Sequence, residues 1–171
     1  MPRASSFPPP AEVAIGTLLA LFEEHKYSPT PIIDLGVMVA QADGRLDDGE
    51  VESLVNLVEE LTGTHMTREV VQYLIEASSE VLELAGLESR ARLIADILVD
   101  CDAVEPALVV AATIAMSAER ERVSRTGSTN LPTGAERLRP EERGVIELVA
   151  DFAGLPRPKL DKLLSRVVKM P

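Results

Sequence analysis

Residues 40–54 read AQADGRLDDGEVESL, and this passage decides the fold. Before it, Ile32, Ile33, Leu35, Val37, Met38 and Val39 form a segment that is apolar almost all round, the mark of a buried helix. After it, Val51, Leu54, Val55, Val58 and Leu61 recur at helical spacing. Between them, Asp43-Gly44 stops one helix. Asp47 as N-cap, with Glu50 at the third helical position, starts the next as a capping box. Leu46 and Val51 occupy the hydrophobic-staple positions, and Gly44 suits a left-handed turn. Capping alone accounts for Gly44, Leu46, Asp47, Glu50 and Val51, and leaves Asp43 and Asp48 as solvated carboxylates.

Working outward, the same helical period recurs along the chain. Residues 1–10 (MPRASSFPPP) lack periodicity and are expected to be a flexible N-terminal tail ahead of an all-helical domain over residues 11–171. A first helix is expected from Ala11 to His25, and a second from an N-cap at Thr30 to Ala42. A third should span Asp48 to Thr62 and stop at Gly63; a fourth, capped by Thr67, should end near Gly86. A fifth should cover Ser89 to Asp100, and the sixth, opened by Glu105-Pro106, is apolar on all sides and therefore central. Residues 124–137 (SRTGSTNLPTGAER) read as an inserted surface loop. A seventh helix starts at Pro140 and stops at Gly154, and the last starts at Pro158. No segment alternates at period two. The expected fold is all-α, a single compact bundle of about eight helices.

Composition bounds the function. Of 171 residues 46% are apolar and only 3% aromatic, so the core must be aliphatic, which suits packed helices. The net charge of −11 and a pI of about 4.7 disfavour nucleic acid and anionic membrane surfaces, and favour cations as partners. With one cysteine, Cys101, and two histidines, His25 and His65, any metal site must be oxygen-ligated and hard, taking Ca²⁺, Mg²⁺ or Mn²⁺. Residues 1–10 lack the apolar segment of a signal peptide, and the most apolar run, residues 107–115, is too short for an integral membrane segment. The expected location is cytoplasmic.

Three readings of the acidic turn stand side by side. The first is capping alone. The second is an EF-hand loop starting at Val39, with Gly44 at position six, Leu46 at eight and Glu50 at twelve; Val39 and Gln41 at positions one and three argue against it. The third is a family resemblance: the run from Val39 to Glu50 resembles the signature of tellurite-resistance TerB-like domains. That resemblance implies an all-helical fold of two degenerate halves and a divalent cation held by acidic residues. It also implies a bacterial stress or tellurite role exercised through protein partners. On this reading Asp43, Asp47 and Glu50 are the metal ligands, Asp48 supports them, and backbone carbonyls near Arg45 complete the shell.

An internal echo supports the resemblance. Residues 115–120 (AMSAER), then Leu138-Arg139-Pro140-Glu141-Glu142, repeat the pattern, with Leu138 and Glu142 spaced as Leu46 and Glu50 are. Glu119-Arg120 stands in place of Asp-Gly, and Arg139 replaces the carboxylate that matches Asp47, where a guanidinium would repel a cation. The expectation is a single working metal site in the first half, with the second, around Glu119 and Glu142, lost or repurposed.

Other residues are read as structural. Asp100 and Asp102 flank Cys101 at a polar helix end, Cys101 is a small buried hydrophobe, and His25 and His65 sit beside turns. The basic residues of the last helix (Arg157, Lys159, Lys162, Arg166, Lys169) form a solvated face, the rival being docking onto an acidic partner, a second copy included. No phosphate loop, HExxH, GxSxG or Cys-His pattern is present, so no enzyme is expected. The alternatives to metal binding are a metal-free interaction scaffold and, behind it, a carboxylate-based hydrolase using Asp43 and Glu50.

Overall fold

A computed structural model describes residues 5–44, 46–126 and 138–168, with the side chains of 118–126 and 168 excepted. The described residues form eight helices and no strand: α1 (Pro9–Glu24), α2 (Thr30–Ala40), α3 (Asp48–Thr62), α4 (Arg68–Ala85), α5 (Leu87–Asp100), α6 (Val104–Thr126), α7 (Pro140–Phe152) and α8 (Arg157–Val168). They make one all-α bundle.

Local chemistry sets the ends. Asp47 caps α3, and Gly63 closes it in the left-handed conformation at φ 70°. The Thr67 hydroxyl accepts from the Val70 N–H at 3.3 Å to start α4, and Gly86, at φ 89°, turns the chain directly into α5. That turn needs a single residue, so α5 begins two residues before the expected Ser89. Thr30 lies within α2, with Pro29 as its cap, and α2 ends at Ala40.

Two further differences concern the ends of the chain's segments. Ser124 to Thr126, expected to open the inserted loop, continue α6, and residues 127–137 lie outside the described residues. Within the expected tail Ser5, Ser6 and Phe7 are held to the bundle, and α1 already begins at Pro9. The Ser5 hydroxyl donates to Glu60 Oε1 at 2.8 Å, the Ser6 N–H to the same oxygen at 3.1 Å, and Phe7 is buried. One aromatic ring gave the tail an anchor that helical periodicity does not register.

The central helix is α6, which packs on α1, α2, α3, α5, α7 and α8. Its alanines, Ala107, Ala111, Ala112 and Ala115, are buried and let neighbours approach closely, while Leu108 and Ile114 fill the gaps. The core is aliphatic, as composition requires: Leu18, Ile32, Leu35, Leu54, Leu57, Leu98, Ile146 and Leu160 are fully buried, with Phe22 its largest member. At Gly36 in α2, a Cβ would stand 3.0 Å from both Ile114 Cδ1 and Leu54 Cδ2. This glycine lets α2 lie against α3 and α6, and so brings the acidic turn into the bundle.

Two glycines should therefore respond in opposite directions. Gly36→Val should lower stability by about 1–3 kcal/mol through overpacking. Gly16→Ala, in the exposed interior of α1 with nothing near its added methyl, should raise it by about 0.5–1 kcal/mol. Denaturant melts of the two variants measure both.

Candidate functional site

The capping box at the start of α3 is formed as its sequence requires. Asp47 Oδ1 accepts from the Glu50 N–H at 2.9 Å, and Glu50 Oε2 accepts from the Asp47 N–H at 3.1 Å. The start of α7 repeats half of it: Glu142 Oε2 accepts from the Arg139 N–H at 3.3 Å. The reciprocal bond is missing because a guanidinium has no acceptor. Each box ties down one carboxyl oxygen and aims the other inward.

Those inward oxygens are the unusual feature. Among the described residues, Glu50 (1% exposed) and Glu142 (fully buried) are the two acidic side chains enclosed by the core. Glu50 Oε1 and Glu142 Oε1 are buried and receive a hydrogen bond from no other group. The two carboxyls neighbour each other within hydrogen-bonding reach. Two ionised carboxylates offer only acceptors, so this contact becomes a hydrogen bond when one proton is held between them.

The electrostatics follow from that enclosure. Burial pushes the Glu50 carboxyl up to about 8; its bond from the Asp47 N–H opposes this, while the charges of Asp47, Glu142 and Asp43 add to it. Burial likewise raises Glu142 to about 7, against the lowering influence of the Arg139 N–H and guanidinium. Asp43 raises both. Its own counterion is Arg139, whose Nη1 donates to Asp43 Oδ2, with both side chains largely buried. Four carboxylates and one guanidinium thus meet where α2, α3 and α7 come together.

Of the four residues expected to serve a metal, three gather at this centre and one does not. Asp43 and Asp47 both act on Glu50 there. Asp48 points outward, 67% exposed, and binds Arg68 at 2.9 Å. As the first helical residue beside the N-cap, its side chain faces away from the axis that Glu50 reaches. Among the described residues, no three His, Cys, Asp or Glu side chains form a ready cation cage. Arg45, whose carbonyl was expected to help, lies outside the described residues, as does the Glu119 side chain.

Sequence spacing had assigned Glu142 and Arg139 to a separate second site. Instead both turns deliver to one centre, Glu142 opposite Glu50 and Arg139 to Asp43. The signal was present in the matched spacing of Leu46–Glu50 and Leu138–Glu142. What spacing lacked was the packing of α2 against α7 that superimposes the two ends.

The remaining residues behave structurally. Cys101 is fully buried, and burial raises its thiol. His65 Nδ1 lies 2.6 Å from Glu59 Oε1, and His25 caps the end of α1. Arg157 forks onto Asp151 at 3.1 and 3.0 Å and reaches Glu147 at 2.9 Å, which joins α8 to α7.

No family model, curated protein or solved structure matches the chain. Its class is therefore set by fold and site: a helical bundle with a buried carboxyl pair where two helix starts meet.

The sign of the pH dependence follows. Both glutamates keep their proton in the folded protein to higher pH than the unfolded chain does, from the ordinary 4.5 to about 8 and about 7. The native state binds more protons in that window, so stability is greatest below about pH 4.5 as far as this pair is concerned and falls as pH rises toward 8. Glu50→Gln retains an acceptor for the Asp47 N–H and can donate to Glu142. It should flatten this slope and raise stability near pH 8 by about 1–2 kcal/mol, as read from denaturant melts across pH.

Proposed function

We propose that this protein is a non-enzymatic helical module of TerB-like type that takes up a hard divalent cation, Ca²⁺, Mg²⁺ or Mn²⁺, at its buried carboxyl pair. The reading is supported by one observation above all: two inward oxygens, Glu50 Oε1 and Glu142 Oε1, are enclosed and accept a hydrogen bond from no other group. Such groups cost free energy until a proton or a cation satisfies them. The donors are of the right type, since carboxylate oxygen is what hard cations select. Glu50 and Glu142 would hold the ion from opposite sides, with Asp43 as a third oxygen once it parts from Arg139. Asp47 remains the cap that aims Glu50. The cation would supply fixed positive charge that links α3 to α7. A role in bacterial tellurite or stress response, exercised through protein partners, rests on the family resemblance alone.

A second reading has its own observation. Arg139 already delivers a positive charge to Asp43, and that charge stands where a cation's would. On this reading the protein is a metal-free interaction scaffold closed by its own guanidinium.

One experiment separates them. Chelator-treated protein is melted at pH 8 with rising Ca²⁺, Mg²⁺ or Mn²⁺. A cation bound only by the folded state raises the midpoint steadily, by about 2.7 kcal/mol of stability at a hundredfold excess over Kd. Glu142→Gln should abolish that rise, and Arg139→Gln, which removes the guanidinium charge from beside Asp43, should steepen it. Midpoints that ignore every cation in wild type and in Arg139→Gln leave the scaffold.

A further inference from the structure

Five of the ten exposed large apolar side chains among the described residues lie on one helix, α4: Val70, Tyr73, Leu74, Val81 and Leu84. Tyr73 and Leu84 are 73% and 83% exposed, so they are not rim residues of the core. The core takes only Val71 and Ile75 as buried members of this helix. With the exposed Ala77, positions 70, 74, 77, 81 and 84 advance by alternating steps of four and three. That is the spacing of a seam that packs against another helix, and it runs beside the face on which Val71 and Ile75 are buried.

The charge beside this seam says what kind of helix fits. Glu69, Glu76, Glu80 and Glu83 fall on a single edge of α4, next to the apolar stripe. Glu76, Glu80 and Glu83 also line a groove of about 550 Å³ that Asp48 borders from the start of α3. The one cation of α4, Arg68, is engaged by Asp48. A second copy is a poor occupant. It brings another net charge of −11, and antiparallel pairing of two α4 helices would set one glutamate edge against the other.

We infer that the outer face of α4 docks an amphipathic helix of a partner protein, one that presents leucine-like side chains to the seam and lysine or arginine to the glutamate edge. An apolar stripe supplies the contact area, and the charged edge fixes the orientation of the incoming helix and speeds its encounter. The inference names the chemistry of the partner and is independent of whether a cation occupies the carboxyl pair.

The test uses the full chain and a synthetic helical peptide with leucines at four-three spacing and lysines along one edge. A control peptide carries glutamates in place of the lysines. The lysine peptide should bind the wild type, and the control at least about tenfold more weakly. Tyr73→Glu/Leu84→Glu makes the protein more acidic, so plain charge attraction predicts tighter binding, whereas docking on the seam predicts a loss of about tenfold or more. Both residues are exposed, and an unchanged melting temperature confirms an intact fold. Glu80→Gln/Glu83→Gln should weaken binding and flatten its salt dependence. Glu50→Gln should leave it untouched, which separates this face from the buried centre. Equal binding of the peptide by wild type and Tyr73→Glu/Leu84→Glu overturns the inference. So does a dimer of the wild type, seen by light scattering, that the same double substitution dissolves.

Discussion

The structure turns on a pair of carboxyl groups that cannot both be charged without help. Glu50 and Glu142 sit at the third position of α3 and α7, where each receives one backbone N–H and points its second oxygen into the bundle. Enclosing even one ionised carboxylate costs several kcal/mol unless it is paired. This chain encloses two, adds Asp43 and Asp47, and offsets them with Arg139. The remaining negative charge must be met by a proton or a metal ion.

The fold serves that centre directly. The acidic turn enters the bundle because Gly36 allows α2 to lie close to α3 and α6. The start of α7 reaches the same place because α2 also packs on α7. Leu138, buried just before the second turn, and Leu46, partly buried before the first, hold the two helix starts to the core. The capping bonds then leave each glutamate little freedom. Preorganisation of this kind uses ordinary helix-start chemistry, and the enclosed oxygens are those the caps leave over.

Much of this fold is legible in the sequence. The aliphatic periodicity placed all eight helices, and α3 was read to its last residue, because Asp47 and Gly63 are strong start and stop signals. Glu50 is legible as the third residue of the capping box, and that role is observed. Phe7 is a lone buried aromatic ahead of α1, and a single position carries no period by which to read it. Asp48, expected to support the ligands, faces Arg68 instead, because adjacent residues on a helix diverge by about 100°. Glu142 and Arg139 were identified as an echo but assigned to their own site. Whether two similar turns make two sites or one depends on long-range packing, which no local pattern encodes.

The central claim is that a cation and a proton compete for the same two oxygens. It is tested most directly by calorimetric titration of chelator-treated protein with Ca²⁺ or Mn²⁺ near pH 7, in buffers of different ionisation enthalpy. The account predicts saturable binding with release of about one proton per cation, and loss of both binding and release in Glu50→Gln. No binding heat in any buffer, or binding that releases no proton and survives Glu50→Gln, would contradict it.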